Sequence, residues 1–596
     1  MDKKRFNAEY LASQAPRLFA AAREKRPVPE LRRQLIAAVL AKRDYALDNY
    51  DRKGQGLAIR IRDCARTLVT MFHRRSERLA EFSLTRAIRD LAQGRVRPDL
   101  SPAFYADLIH IIWGLAGRVR FESPADQAMR PSEKRGREAA IERSGQLDQL
   151  WQMLEAGIAR FPTGLDAEVV RGRRQRRRHI LEVMGGSEED WNNWRWQVRH
   201  VIRNEKQLRR ILRLTPEEEE GIRAAKANRV PFGITPYYAS LMDETPTDHD
   251  RSVRYQVIPP DRYVQGVCRL RRSDPAVLDF MREEDTSPID LITRRYPSIC
   301  ILKPISTCPQ ICVYCQRNWE IEDVLTPGAL APREKLDAAL DWIECHSGIR
   351  EVLVTGGDPF VMGRERLRYI MQRLARISSV ERIRIGTRTL VTMPMRITDE
   401  LAAMLGRHCE PGHREIAVVT HCQHPYEVTP EVVEAVDKLR ARRIPVYNQL
   451  VYTFFVSRRF EAVALRRALR LAGIDPYYTF SMKGKEEMED YRVPIARLMQ
   501  EQKEEARLLP GLARTDEAVY NIPGRGKNYL RAQQHRELIS ILPNGARVYE
   551  FHPWEKNITS GIRTYVGRDV PILEYLERLD RIGEGPNDYS SIWYYF

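Results

Sequence analysis

The chain has 596 residues, 43% of them hydrophobic, a formal net charge of +17 at pH 7 and nine cysteines. That length allows two to four domains around a large core. No run of eighteen apolar residues occurs and the start MDKKRFNAEY has no apolar stretch, so the expectation is a cytoplasmic protein with neither a membrane-spanning helix nor a secretory leader. An odd cysteine count in such a chain argues against a disulfide framework.

Residues 1 to about 185 read as an all-helical, arginine-rich accessory domain: LRRQLIAAVLAKRDYAL and CARTLVTMFHRR carry apolar residues at three- and four-residue spacing. Arg171, Arg173, Arg174, Arg176, Arg177 and Arg178 concentrate positive charge there. Such a patch attracts polyanions, but a solvated arginine-rich helix explains it equally and no nucleic-acid motif accompanies it. A second segment, 186–290, opens with WNNWRWQ at Trp191, continues through a helix start capped by Thr215 with Glu218 in the capping-box position, and ends in a Pro- and Asp-rich stretch from Asp243 to Pro288 that reads as an irregular connection.

From 291 to 510 short β-branched runs alternate with amphipathic helical segments. Candidate strands begin at Ser298, Arg350, Arg382, Arg414, Ile444 and Asp475. The helices between them span Arg333 to Cys345, Arg364 to Arg376, Thr398 to Gly406, Pro430 to Ala441 and Arg459 to Leu471. Six such units imply an α/β fold, a parallel sheet with right-handed crossovers closing into a partial (β/α)6 barrel of TIM-like kind. Reactive groups then belong at the C-terminal ends of the strands. Residues 511–596 form a C-terminal segment.

The chemistry concentrates in a few places. STCPQICVYCQRN places Cys308, Cys312 and Cys315 in a loop directly after the first strand. Three thiolates hold three irons of a cubane [4Fe–4S] cluster and leave the fourth iron open; a zinc knuckle would want a second Cys or His pair, which is missing. TGGDP, Thr355 to Pro359, ends the second strand, with two glycines permitting close backbone approach; a simple turn explains the same letters. NIPGRGKNY holds Lys527 in a glycine-rich turn, suited to a Schiff base with pyridoxal phosphate (PLP) or simply to a surface turn. Cys409, His413, His421, Cys422 and His424 look like zinc ligands, but His421 and Cys422 are adjacent on a strand and would point to opposite faces.

Cys-x3-Cys-x-aromatic-Cys, with Tyr314 in the aromatic slot, resembles the signature of radical S-adenosylmethionine (SAM) enzymes. WNNWRWQ, ITPYYASL at Ile234, RRYP at Arg294, TGGDP, RIGTRTLVTMPMRIT at Arg384, HCQHPYEVT at His421, PVYNQ at Pro445, DPYY at Asp475 and PGRGK at Pro523 together resemble the lysine 2,3-aminomutase family of radical SAM, PLP-dependent aminomutases, from about Trp191 to about His552. The resemblance implies a radical SAM barrel, a [4Fe–4S] cluster on Cys308, Cys312 and Cys315, SAM against Tyr314, Gly356, Gly357, Asp358 and Gln449, PLP on Lys527 with Arg295 near its phosphate, and Arg317 on the substrate carboxylate. It further implies an isomerase moving an amino group from Cα to Cβ of an amino acid, fed by a one-electron donor such as a flavodoxin or ferredoxin, in a chain that can form homo-oligomers.

Three departures matter. Where lysine-acting members carry two aspartates for the far ammonium, this chain has Lys483 and Asn521; an ammonium facing Lys483 meets like charge, whereas the exchange resembles glutamate 2,3-aminomutases. The glycine turn before Lys527 is one residue shorter and contains Arg525. No cysteine follows Cys422, so the family's C-terminal zinc site is not expected. The expected substrate is therefore glutamate or a similar non-lysine amino acid. The alternatives are a lysine 2,3-aminomutase, a radical SAM enzyme of the family with another outcome, and a nucleic-acid binder acting through the basic N-terminal third.

Overall fold

The computed structural model of the chain describes residues 3–48, 55–119, 124–130, 132–482, 484–532, 535–552 and 564–596. Its centre is a nine-stranded sheet whose spatial order follows the sequence: β1 (Ile292–Tyr296), β2 (Ile299–Ile305), β3 (Glu351–Gly356), β4 (Arg382–Gly386), β5 (Glu415–Thr420), β6 (Val446–Tyr452), β7 (Ile474–Ser481), β8 (Glu517–Ile522) and β9 (Gly526–Tyr529). Strands β2 to β8 run parallel. Only the edge strands β1 and β9 are antiparallel to their neighbours.

The six expected strands are β2 to β7, and helices Arg333–Glu344, Arg364–Arg376, Asp399–Gly406, Pro430–Arg440 and Glu461–Leu471 fill the connections between them. Each helix buries one stripe, as with Leu336, Ala339, Leu340 and Ile343, in the same core as Val352, Ile383, Ile416 and Val446 of the strands. Buried positions alternate with half-buried or exposed ones along β2, β3, β4 and β6, whereas β5 is buried almost throughout.

The sequence pattern does not reveal β1, β8 or β9. Adjacent arginines break the pattern in β1, and Pro523, Gly524 and Gly526 read as a turn where they form the tip of the β8–β9 hairpin. The consequence is large. The Lys527 ammonium on the last strand lies 5.5 Å from the ring centroid of Tyr296 on the first, and a Cβ on Gly526 would sit 2.7 Å from Tyr296 Oη. The sheet curls far enough for its two edges to touch there, and the absent side chain of Gly526 makes the approach possible.

The stretch from Asp243 to Pro288 is more ordered than its prolines suggest. Helix Asp261–Ser273 follows Pro260 and buries Tyr263, Val264, Val267 and Leu270; Pro260 stands at its N-cap, where a missing N–H costs nothing. The capping box of Thr215 and Glu218 is present, and Glu218 also pairs with buried Arg254 at 3.1 Å.

Helices from Ala8 to Met184 account for the N-terminal third, and they share a core with the C-terminal segment. A second sheet, β10 (Arg536–Ile541), β11 (Arg547–Phe551) and β12 (Tyr565–Arg568), is antiparallel. Arg547 on β11 donates from Nε and Nη2 to both carboxylate oxygens of Asp107 at 2.8 Å, and both side chains are buried. His110 stacks on Trp593 with centroids 4.3 Å apart.

The arginine cluster lies on helix Ala167–Met184. Buried Arg173 pairs with Glu431, Arg176 pairs with Asp243 at 3.2 Å and donates to Ser240 O, and Arg177 pairs with Glu188 and covers the Trp191 ring. Much of that charge fastens the helix to the rest of the molecule.

Asp569, just after β12, accepts hydrogen bonds from the backbone of Ile495 and Val570 at 2.8 and 2.9 Å. Burial pushes its pKa from 3.8 up to about 6, against the lowering effect of Arg492. A carboxyl raised by folding gives stability that is complete below pH 3.8 and lost as pH climbs through 6, about 3 kcal/mol for a shift of about two units. Asp569→Asn keeps one acceptor for the two N–H groups and is therefore expected to be less stable than the wild type near pH 4, but to lack the loss of up to about that amount that the wild type shows between pH 4 and pH 7.5, as urea unfolding at the two pH values would measure.

Candidate active site

The candidate residues gather at the C-terminal ends of the parallel strands. The loop after β2 carries the cysteines, all three half-buried, and the end of β3 presses against that loop. A Cβ on Gly356 would lie 2.5 Å from Ile305 O, and one on Gly357 would lie 2.1 Å from Thr307 O. The two glycines therefore admit the neighbouring strand end. Asp358, 4% exposed, accepts hydrogen bonds from Thr387 Oγ1 at 2.6 Å and from the backbone N–H groups of Phe360, Arg388 and Thr389 at 3.0, 2.8 and 2.9 Å. Its carboxylate ties the β3 loop to the β4 loop, and its four donors leave it little capacity for a ligand.

The sulfur atoms sit in a setting that suits a metal cluster. Burial, then Asp358 and the other two cysteines, pushes the Cys308 thiol well up; burial and Cys312 push the Cys315 thiol up. The backbone N–H of Arg317 donates to Cys315 Sγ at 3.3 Å, and Arg388 Nη1 donates to Cys312 Sγ at 2.7 Å. Thiols that oppose one another's ionisation and also receive N–H donors are neutralised when a metal takes them as thiolates. Among the described residues no three His, Cys, Asp or Glu side chains converge on a single ion; a cubane instead takes each thiolate at a separate iron.

Behind the loop lies a buried polar network that sequence reasoning misses. Arg388 contacts Cys312, donates to Tyr238 Oη at 3.1 Å and Gln256 Oε1, and pairs with Glu427 at 2.9 Å. Glu427 is fully buried. It also accepts from Tyr238 Oη at 2.7 Å and from the backbone of Gln423 and His424 at 2.5 and 2.9 Å. Burial alone would raise its pKa, but Arg388 and Tyr238 outweigh that and hold it below the ordinary carboxylate range. The strings RIGTR, HPYE and ITPYY carry these residues, yet nothing local says that they meet.

Tyr314 Oη is 2.8 Å from His421 Nε2 and donates to Gln256 Oε1 at 3.1 Å. His421 Nδ1 is 2.6 Å from the backbone oxygen of Gln449, and burial followed by Arg388 pushes its pKa down to about 4. Both ring nitrogens of His421 are thus engaged. Cys422 is buried with Sγ 3.6 Å from His424 O, so the apparent zinc set of Cys409, His413, His421, Cys422 and His424 is not assembled.

On the far side of the site stand Lys527 and Asn521, directly paired across β8 and β9 and therefore on one face. The Lys527 ammonium lies between the rings of Tyr296 and Tyr478, 5.5 and 5.1 Å from their centroids. Tyr478 pairs in register with Gln449 on β6. Lys483 lies outside the described residues.

Arg317, Lys303 and Arg295 collect around buried Glu283. Arg317 donates to both carboxylate oxygens at 3.1 and 3.3 Å, Lys303 is 3.8 Å away, and Gln316 Nε2 donates to Oε1 at 3.0 Å. Burial would raise the Glu283 pKa, but Arg317, Lys303 and Arg295 hold it below its ordinary value. Arg295 donates to Met281 O at 2.9 Å, while its buried Nε has no partner. Lys303 and Arg317 also reach Glu320, at 2.8 and 3.4 Å. A guanidinium with a buried, unanswered donor suits a phosphate or carboxylate oxygen. Glu283, the centre of this group, lies in the Pro- and Asp-rich stretch and belongs to no motif.

No family model matches the chain. It is 45% identical over 541 residues to an uncharacterized KamA family protein of Methanocaldococcus jannaschii, covering 87% of this chain and 86% of that one. A match that long includes part of the N-terminal helices. It is 35% identical over 312 residues to glutamate 2,3-aminomutase of Clostridioides difficile, covering 52% and 69% of the two chains. It is 33% identical over 368 residues to L-lysine 2,3-aminomutase of Acetoanaerobium sticklandii, covering 59% and 83%. With that extent of identity, and with the motif residues gathered at one end of one sheet, the chain belongs to the lysine 2,3-aminomutase (KamA) family of radical SAM, PLP-dependent isomerases.

Proposed function

We propose that this protein is an amino-acid 2,3-aminomutase acting on glutamate or a similar acidic amino acid, with Cys308, Cys312 and Cys315 holding a [4Fe–4S] cluster, Tyr314, Gly356, Gly357 and Gln449 around SAM, and Lys527 holding PLP. The observation that carries the reading is the placement of Lys527 at the closing edge of the same curled sheet whose first parallel strand delivers the cysteine loop. We read that sheet as the partial barrel of a radical SAM enzyme; contact between β1 and β9 supports it. When bound, the cofactors supply radical generation and a carbonyl partner for the amino group.

The chain's own residues bind and orient. Arg295, with its unanswered Nε, is suited to the phosphate, and Arg317 to the substrate α-carboxylate. Glu283 holds these cations in place. Tyr296 and Tyr478 flank the Lys527 ammonium and fix where it presents its nitrogen. Asn521, beside Lys527, offers an amide to the substrate side chain, and Lys483, two residues past β7, would add a cation for its carboxylate. Asp358, expected beside SAM with Gly356 and Gly357, also acts as a positioning residue through its ties to the β4 loop. Cytoplasmic placement suits thiols that must stay reduced.

The test is anaerobic reconstitution with iron, sulfide and PLP, then incubation with SAM, dithionite and glutamate, aspartate, lysine or arginine in turn. Glutamate is expected to give β-glutamate, and Lys527→Ala to lose both this product and the visible absorbance of lysine-bound PLP. Lys483→Asp is expected to cut turnover on glutamate more than about 100-fold, the cost of replacing a side-chain attraction with a repulsion of about 3 kcal/mol or more. Unchanged turnover on glutamate in that variant would remove the acidic-substrate reading.

A further inference from the structure

A cavity of about 370 Å³ opens where the N-terminal helices meet the C-terminal segment. Asp63 of helix Gln55–Phe72, Met499 and Lys503 of helix Ile495–Glu504, and Arg536 and Leu538 of β10 line it. Its inner wall includes buried Ala518 on β8 and Leu530 just past β9, joined by a hydrogen bond from Leu530 N to Ala518 O at 3.0 Å. Ala518 is three positions from Asn521 on the same strand and so faces the other side of the sheet. The cavity therefore backs onto the hairpin that carries Lys527 and is separate from the candidate active site.

Three charged groups in this cavity lack an opposite charge among the described side chains. Arg536 is 4% exposed. It donates to Phe596 O at 2.9 Å, to Leu530 O and to Met499 Sδ, but it has no side-chain carboxylate among its partners and its Nε has no partner at all. Burial pushes its pKa down to about 10, with only Tyr549 opposing. Lys503, exposed at the mouth, lies over the Tyr595 ring at 5.7 Å from its centroid. Asp63 is half-buried, and burial raises its pKa although Arg66, Lys503 and Arg60 oppose the rise. The neighbouring charges are differently placed: Arg531 pairs with Glu517 at 2.7 Å and Arg66 reaches Glu537 at 3.9 Å.

We propose that this cavity binds a free α-amino acid with an apolar side chain, Arg536 and Lys503 answering its carboxylate, Asp63 its ammonium, and Met499, Leu530 and Leu538 its side chain. A zwitterion answers both signs at once. A plain carboxylic acid or a phosphate meets Asp63 as a like charge, and a plain amine meets Arg536 and Lys503. The cavity is near the small end of the range for ligand sites, about 300–1,000 Å³, which suits a molecule of amino-acid size. Because its walls come from an N-terminal helix and from the strand pair that bears Lys527, an occupant stabilises that junction by mass action.

The test is calorimetric titration of the full chain with L-leucine, L-methionine and L-phenylalanine as probes. At least one is expected to bind. Removing either end of the probe, as in isocaproate and isoamylamine for leucine, is expected to weaken binding about 10-fold or more, the effect of losing one charge-assisted hydrogen bond. Asp63→Asn and Lys503→Met, both at positions that are not fully buried, are expected to keep the unfolding midpoint of the unliganded protein and to weaken binding by a similar factor. Lys527→Ala is expected to bind as the wild type does, which separates this cavity from the candidate active site. Absence of binding by all three amino acids, equal binding of the one-ended analogues, wild-type binding in both Asp63→Asn and Lys503→Met, or loss of binding in Lys527→Ala would overturn the proposal. The titration needs no cluster, so a protein that bound the amino acid but formed no β-amino acid would count against the proposed function and leave this site standing.

Discussion

Replacing Cys308, Cys312 or Cys315 singly with alanine is expected to abolish cluster assembly, lowering bound iron to background and product formation by more than about 100-fold, the loss already typical of removing an outer partner of a metal site. Two thiolates leave two irons of the cube without a protein ligand. The fold should tolerate the change. All three side chains are half-buried and sit in a loop, so unfolding midpoints should move little. Cys300 on β2 and Cys422 are the controls. Both are buried and outside the trio, so Cys300→Ala and Cys422→Ala should each cost about 1–2 kcal/mol of stability through lost packing while iron content stays at the wild-type level. Iron measured by a colorimetric assay beside a urea titration separates the two classes of cysteine, and a trio variant that retained full iron would refute the ligand assignment.

The second large effect belongs to Glu427. Its carboxylate is the buried counter-charge of Arg388, which in turn donates to Cys312 Sγ. Glu427→Gln leaves a guanidinium inside the protein without an anion, and breaking one side of a buried pair costs about 3–5 kcal/mol. The uncompensated charge sits beside Cys312, a proposed cluster ligand, so the variant should also shift the reduction midpoint of the reconstituted cluster to a more positive potential, as a nearby cation favours the added electron. Arg388→Met with Glu427→Leu, which removes both charges, should recover much of the stability and abolish the positive shift in potential. Urea unfolding and a redox titration followed by electron paramagnetic resonance measure the two effects separately. Equal stability of Glu427→Gln and the wild type would mean that the pair is not buried as described.

These residues illustrate why the site is only partly legible from one dimension. The cysteine loop, the glycines after β3 and the lysine turn each carry their chemistry within a few consecutive positions, because metal spacing, close backbone approach and a tight turn are local demands. The strands β2 to β7 and their helices are equally legible, since burial on a parallel sheet imposes a short Ile- and Val-rich run followed by a helical period. Asp358 shows the limit: its letters suit a ligand contact, yet its oxygens are taken by donors around thirty residues away.

Hydrophobic periodicity in this chain indicates the α/β class and motif spacing the candidate cluster ligands, while the pairing of a thiol loop with a distant lysine is what the family resemblance implies. The folded molecule alone decides that β9 returns to β1 and brings Lys527 against Tyr296, that Glu283 gathers three cations, that Arg388 and Glu427 neutralise each other beneath Cys312, and that Arg173, Arg176 and Arg177 are spent on ion pairs. The reason is that a charge pair or a ring contact depends on distance in space. Residues such as Asp107 and Arg547, 440 positions apart, have no local signal that names their partner.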